Sequence, residues 1–136
     1  MPMCTTLPAG KYFIGDPCYV FDQDWDDIVD LIFGTADTLI HNGRQLFVAT
    51  TAYGDGSYRG SNGFEFGVDA GLLGAVPVEL MSKTPGPKDG VIIDAPHGLV
   101  CSEPVYGCFV FKVVNGTTIE IDTDFHDDET DEDLDD

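Results

Sequence analysis

The sequence predicts a mainly β, α+β fold: a single antiparallel sandwich or partly open barrel with one amphipathic helix. Aromatic and β-branched residues, which favour strands, dominate the apolar positions, and 43% of the chain is hydrophobic. The 16 glycines and 8 prolines indicate short elements joined by tight turns. A single segment shows helical periodicity. We therefore expect roughly seven to nine short strands around one core.

The chain divides into a globular part and a tail. Residues 1–121 are predicted to form the β-rich domain. Residues 122–136 contain ten acidic side chains and no Lys or Arg. These like charges repel one another, and there is almost nothing apolar to bury, so the tail is predicted to be disordered.

The N-terminal elements are set by proline and glycine. Residues 1–10 are predicted to lack regular structure, because two prolines and a glycine interrupt them. Residues 11–14 form a short strand, which ends at residues 15–17 (Gly-Asp-Pro) because proline fixes its own φ and restricts the residue before it. Extended chain is expected to resume at residues 18–21.

Residues 24–33 form the predicted helix. Its apolar side chains are spaced to share one face. Asp24 is expected to cap the first turn, where the helix dipole also favours acidic residues. The residues of the apolar face are Trp25, Ile28, Val29 and Ile32.

The middle of the chain alternates between strands and turns. Residues 35–43 are predicted to be a connection and residues 45–51 a strand. Residues 53–58 (Tyr-Gly-Asp-Gly-Ser-Tyr) are predicted to be a glycine-rich hairpin turn. Residues 64–68 form the next strand.

The following strand, residues 72–81, contains Pro77 and is therefore predicted to lie at a sheet edge. Residues 82–90 are rich in proline and glycine and should form a loop. Short strands are expected at residues 91–93 and 99–101.

A hairpin closes the domain. Residues 109–113 and 117–121 each alternate between apolar and polar side chains. A three-residue loop that places Val113 opposite Thr117 puts the apolar side chains of both strands on one face. This loop predicts Gly116 in the left-handed conformation of a bulge.

Charge excludes some partners. The formal net charge is -19, from 25 acidic and 6 basic side chains. Binding to phosphate backbones depends on Lys and Arg, so we expect no direct binding to nucleic acid and none to anionic membranes.

The N-terminus lacks the basic region and apolar core of a signal peptide, and no apolar run approaches the roughly 20 residues of a membrane span. A cytoplasmic location with reduced thiols is therefore expected. The cysteines form no Cys-x-x-Cys pair of the kind that binds zinc. They are Cys4, Cys18, Cys101 and Cys108.

Two aspartates are the most site-like feature. Asp16 and Asp69 each follow a strand beside small residues. Together they could hold a divalent cation or act as an acid/base pair. Alternatively, each carboxylate accepts backbone N–H bonds from its own turn. The candidate ligand-binding residues are Asp16, Cys18, Tyr19, Tyr53, Asp55 and Asp69; no catalytic residue, metal or cofactor is assigned.

Cys18 has two interpretations. As a nucleophile it would need a base such as His97 and an orienting group such as Asp94. As a small apolar residue in a strand it would belong to the core. The glycine-rich turn at residues 53–58 would suit the rim of a ligand pocket.

Five sequence features are similar to those of a known group of proteins: residues 14–20 (Ile-Gly-Asp-Pro-Cys-Tyr-Val), Trp25, residues 53–56, residues 68–74 (Val-Asp-Ala-Gly-Leu-Leu-Gly) and Val76-Pro77. Across roughly residues 10–80 the chain resembles small uncharacterised proteins of bacteriophages and bacteria with a Gly-Asp-Pro-Cys-Tyr signature. The resemblance implies a phage-type or bacterial origin and a compact, mostly β domain. It transfers no activity and no catalytic residue.

Three hypotheses of function are consistent with these features. The first is a non-enzymatic accessory protein that binds a small ligand or a host protein in the host cytoplasm. The second is a small metal-assisted hydrolase that uses Asp16 and Asp69. The third is an acidic DNA-mimic inhibitor that acts through residues 122–136.

Overall fold

The computed structural model describes residues 3–34, 39–52, 54–105 and 107–123. Within these ranges the protein is mainly β, with eleven strands in three antiparallel sheets that are not closed into a barrel. The fold class predicted from the sequence is confirmed, with more strands than expected. The predicted tail began at residue 122, but Asp122 ends the last strand and Thr123 is fully buried, so both belong to the domain; residues 124–136 lie outside the described residues.

The helix α1 spans Trp25–Ile32. The strands are β1 (Met3–Leu7), β2 (Gly10–Gly15), β3 (Leu39–His41), β4 (Arg44–Thr50), β5 (Gly56–Arg59), β6 (Glu65–Val68), β7 (Leu72–Pro77), β8 (Gly90–Ala95), β9 (Leu99–Val105), β10 (Cys108–Val113) and β11 (Thr118–Asp122). Two short 3-10 helices cover Pro17–Tyr19 and Val78–Leu80.

The sheets have the orders β1-β9-β10-β11, β3-β4-β7-β2-β8 and β5-β6. The first core lies between the four-stranded and five-stranded sheets, where the rings of Phe47 and Phe111 meet edge to face at 6.0 Å between centroids. These two sheets form the sandwich. The β5–β6 hairpin contributes Tyr58, Phe66 and Val68 to the same core.

A second core covers the other face of the five-stranded sheet. In β2, Tyr12 and Ile14 point into the first core, while Phe13 points into the second, where Ile28 of α1 also packs. The five-stranded sheet is therefore buried on both faces at its centre. All six residues of β7 are buried for this reason.

The position of β7 corrects one prediction. Pro77 was expected to mark an edge strand, yet β7 lies at the centre of its sheet, between β4 and β2. The pairing with β4 ends at Ala75, so Pro77 lies beyond it and pairs with Tyr12 alone. A missing N–H is tolerated there because one side of the strand is already free.

Three segments differ from their predicted conformations. Residues 1–10 contain β1, which pairs with β9 between the two prolines that were expected to prevent it. Residues 35–43 contain β3, joined to β4 by an Asn42-Gly43 turn in which both residues have positive φ. Residues 18–21 were expected to be extended, but the 3-10 helix begins at Pro17, because proline suits the first position of a helix.

The helix is close to its predicted bounds. Asp24 occupies the N-cap position, but its side chain makes no capping hydrogen bond. Its Oδ1 instead accepts a 2.7 Å hydrogen bond from the Ser82 hydroxyl, which fastens the start of α1 to the loop after β7. Burial raises the pKa of the Asp24 carboxyl, but the hydrogen bonds from Ser82 and the backbone outweigh it and lower the pKa overall.

The predicted register of the final hairpin is confirmed. Phe111 lies opposite Ile119, and the Val113 N–H donates to the Thr117 carbonyl at 2.9 Å. The left-handed residue of the loop is Asn115, with φ of 61°, and not Gly116 as predicted. Asparagine tolerates this conformation, so the loop does not need glycine there.

Candidate functional site

The site is built around the point where β2 ends. Gly15, the last residue of β2, lies between Gly74 of β7 and Gly90 of β8. The three glycines let the strands and the Phe13 ring pack closely, since a Cβ on Gly15 or Gly90 would come within 3 Å of that ring. The chain then turns inward and buries Asp16 completely.

The Asp16 carboxylate is bonded on both oxygens. Oδ1 accepts a hydrogen bond from the Cys18 N–H at 2.9 Å and so caps the 3-10 helix. Oδ2 accepts from the Asp69 N–H at 3.0 Å and from the Ala70 N–H at 2.7 Å. Asp16 therefore joins its own turn to the turn between β6 and β7, whereas the sequence suggested bonds within its own turn alone.

Cys18 and Tyr19 lie beside the two aspartates and retain their protons. Burial, together with the Asp16 carboxylate, raises the pKa of the Cys18 thiol to about 12. Burial and the negative charge of Asp69 likewise raise the pKa of the Tyr19 hydroxyl. Neither group is an activated nucleophile at neutral pH, because nucleophilic reaction requires the deprotonated form.

The exposed aspartates flank the open end of the β5–β6 hairpin. Asp55 precedes Gly56 and Asp69 follows Val68, the last pair of that hairpin. The Gly54–Asp55 backbone packs against Gly71, where an added Cβ would lie 3.5 Å from the Gly54 Cα. Five of the six predicted site residues are thus gathered in one region; the sixth, Tyr53, lies outside the described residues.

Residues 53–58 are not a hairpin turn, which corrects the prediction. The strands on either side, β4 and β5, belong to different sheets. The segment carries the chain from one sheet to the other, and Thr51 and Tyr58 each donate a hydroxyl hydrogen bond to the Gly54 carbonyl. The glycine-rich composition of this segment therefore indicates a turn, but it does not show which strands the turn joins.

A cavity of about 470 Å³ opens next to this region. A Cβ on Gly67 would lie 3.6 Å from the Tyr19 hydroxyl, so Tyr19 lies beside one of the residues that line the cavity. Phe64 supplies an apolar wall, since its ring packs at 4.7 Å against that of Phe66. The lining residues are Ser57, Phe64, Glu65, Gly67 and Lys88.

Lys88 reaches this cavity from the loop after β7. That loop is held by Asp89, whose carboxylate accepts a hydrogen bond from the Gly86 N–H at 2.6 Å. The cavity therefore lies between β6 and a fastened turn. We call this cavity, together with Tyr19 and Asp69, the β6 cleft.

Asp94 and His97 are not near Cys18. The register of β2 and β8 places Asp94 opposite Lys11 and Gly90 opposite Gly15. Four residues of strand separate these pairs, or about 13 Å. The Cys18–His97–Asp94 arrangement considered from the sequence is therefore not formed. Asp94 and His97 instead line a separate cavity of about 580 Å³, shared with the loop of the final hairpin.

Metal and thiol chemistry can be assessed within the described residues. No group of three or more His, Cys, Asp or Glu side chains among them is arranged to hold a metal ion. The four cysteines form no disulfide. Every helix in the described ranges also falls short of the length and apolar character that a membrane span needs.

Comparison of the chain with protein-family models, curated proteins and solved structures gave no match. The site is therefore interpreted from its own geometry.

Sequence reasoning missed the cavity-lining residues. Ser57, Glu65 and Lys88 belong to three predicted elements, namely a turn, a strand and a loop. Nothing in the local pattern indicates that these elements converge. The signal that was available was the pair of Asp-containing strand ends, which does mark one end of the β6 cleft.

Proposed function

We propose that this protein is a non-enzymatic binding protein whose ligand or protein partner occupies the β6 cleft. The observation that carries the proposal is the bonding of Asp16. Three backbone N–H groups already bond to its carboxylate, so it holds two turns together beside an open cavity. A carboxylate with this role is a poor choice for an acid/base catalyst.

The neighbouring groups support the same proposal. The thiol of Cys18 and the hydroxyl of Tyr19 keep their protons because burial and nearby carboxylates disfavour their anions. The cleft combines an aromatic wall, a hydroxyl and charges of both signs, supplied by Phe64, Ser57, Glu65 and Lys88. Apolar surface with a few polar groups is the usual composition of a ligand pocket.

The phage-type origin suggested by the sequence motifs extends the proposal to a host protein as the partner, in the host cytoplasm. The hydrolase hypothesis is less well supported, because Asp69 is exposed while Asp16 is buried and occupied by backbone donors. The DNA-mimic hypothesis depends on the tail and stays a prediction.

The test is a thermal-shift screen of the full chain against amino acids, capped short peptides, nucleotides and divalent cations. A ligand at 100 times its Kd adds about 2.7 kcal/mol, which should raise the midpoint by on the order of 10 °C. Ser57→Trp should fill the cleft and abolish the shift. Thr118→Trp, on an exposed strand position of the other sheet, is the matched control and should preserve it.

Two results would contradict the proposal. One is a ligand whose shift survives Ser57→Trp but is lost in a variant elsewhere on the surface. The other is conversion of any panel compound to product by the purified chain at a rate that Ser57→Trp reduces. Either result would replace the proposed binding role with another site or with an enzyme.

A further inference from the structure

The outer edge of β6 carries an inference that rests on the proposed function and specifies its ligand. In the described part of the chain β6 pairs with β5 and with no other strand. An edge strand presents backbone N–H and C=O groups without strand partners.

The alternation of hydrogen bonds between β5 and β6 shows which residues of β6 direct these groups outward. The Gly60 N–H donates to the Phe64 carbonyl at 2.8 Å, which makes this a hydrogen-bonded pair. In an antiparallel ladder such pairs alternate with pairs that direct their backbone groups away from each other. Following the register along β6, Phe66 and Val68 bond to β5, whereas Glu65 and Gly67 direct their backbone groups outward.

A second hydrogen bond supports this direction independently. Asp69 is two residues beyond Gly67, so its N–H should also point outward. It does, because it donates to the Asp16 carboxylate at 3.0 Å. Asp16 thus takes the place that a neighbouring strand would have at this end of β6.

Glu65 and Gly67 are also two of the five residues that line the 470 Å³ cavity. Open space of ligand size therefore lies beside the two residues whose backbone groups point away from β5. The two residues lie about 7 Å apart along the strand. A three-residue extended segment has the matching spacing between its first and third residues.

We propose that the β6 edge binds an extended peptide segment of a basic protein partner, which adds as an antiparallel strand and hydrogen-bonds to the backbones of Glu65 and Gly67. Strand addition of this kind uses main-chain bonds for affinity and neighbouring pockets for side-chain preference. Among the cavity-lining residues the Glu65 carboxylate faces one ammonium, that of Lys88, and two more exposed carboxylates, Asp55 and Asp69, lie at the open end of the same hairpin. With a net charge of -19 on the chain, Lys or Arg in the segment is favoured.

The experiment is a titration of the ¹⁵N-labelled full chain with acetyl-Val-Lys-Val-amide, up to millimolar concentrations. The amide signals of Glu65 and Gly67 should shift, and their hydrogen exchange should slow. The analogue N-methylated on both outer residues loses the inward donors and should not bind. The analogue N-methylated on the central residue, whose N–H points away, should bind like the parent.

Matched variants of the protein test the hydrogen bond that the Gly67 N–H donates to the peptide. Gly67→Pro removes the outward N–H without removing a bond to β5, and should weaken peptide binding by about threefold or more. Gly67→Ala keeps the N–H and adds a methyl at ordinary contact distance from Tyr19, so it should lose less peptide affinity than Gly67→Pro. If Gly67→Pro does not fold, the methylated peptides decide the question alone.

Equal binding of all three peptides, or no shift at Glu65 and Gly67, would overturn the inference. Equal binding of acetyl-Val-Glu-Val-amide would overturn the preference for basic segments. A non-peptide ligand that fills the cleft, with no peptide binding, would refute the inference but leave the proposed function intact. Failure of the peptides and of the whole thermal-shift panel would count against both.

Discussion

The two ends of the β6 edge differ in what lies next to their outward backbone groups. At the C-terminal end, the outward N–H of Asp69 is bonded to a buried carboxylate from another strand. At the other end, Glu65 and Gly67 direct the same kind of group away from β5, and both residues line a cavity. The most recognisable motif, around Asp16, therefore has a structural role. The proposed binding surface lies beside it, on residues without a motif.

We expect the largest loss of stability from a substitution at Asp16, which closes one end of the β6 edge. Asp16→Asn keeps the shape but turns an amide N–H₂ toward backbone donors, which leaves buried N–H groups without an acceptor. The free energy of unfolding should fall by about 3 kcal/mol. Urea denaturation measures it. The exposed Asp69→Asn is the control and should change it by less than about 0.5 kcal/mol; equal effects would contradict the account.

Gly74 and Gly67 differ in how closely their neighbours pack around them. A Cβ on Gly74 would collide with the Phe47 carbonyl oxygen of the neighbouring strand, while a Cβ on Gly67 meets nothing closer than 3.6 Å. Gly74→Ala should therefore destabilise the protein by about 2 kcal/mol or more, and Gly67→Ala by less than about 0.5 kcal/mol. Thermal unfolding of the two variants in parallel decides this. Similar midpoints would mean that β7 and β4 can separate at no penalty.

Alkaline pH should weaken the closed end. Burial and the Asp16 carboxylate raise the pKa of Cys18 from 9.0 to about 12. Between these values the unfolded chain loses the thiol proton and the native protein keeps it, so stability falls as pH rises above 9. Cys18→Ala should make this decline shallower in urea midpoints measured from pH 8 to 10.5. An unchanged slope would show that Cys18 does not contribute.

We expect the smallest loss of stability from removal of the Tyr19 hydroxyl. Tyr19→Phe removes a hydroxyl whose pKa is raised by burial and by the exposed Asp69 carboxylate. Stability should change by less than about 1 kcal/mol, because the carboxylate can be solvated instead. Denaturation of this variant beside Asp16→Asn gives the ratio. A loss comparable to that of Asp16→Asn would place Tyr19 in the closed, structural part of the region.

Local patterns predicted the fold well where one element suffices. The apolar face of α1 and the register of the last hairpin follow from side-chain periodicity, because a slip would expose the buried face. The Asn42-Gly43 turn also carried a local signal, since Asn-Gly favours the two-residue hairpin turn, and it was missed.

Long-range pairing could not be predicted in this way. The central position of β7 despite Pro77 depends on where β4 stops, which no feature of residues 72–77 reveals. The same limit applies to the site. The sequence singled out Asp16 and Asp69 because each is an aspartate that follows a strand. The contributions of Glu65 and Lys88, in contrast, depend on how the hairpin and the loop pack together.

Asp16 closes one end of the β6 edge, and the other end is open. Hydrogen exchange of the β6 amides in the free protein tests it most directly. We predict slow exchange at Phe66, Val68 and Asp69, and fast exchange at Glu65 and Gly67. Slow exchange at Glu65 and Gly67, equal to that of Phe66 and Val68, would show that the edge is already covered and would contradict the account.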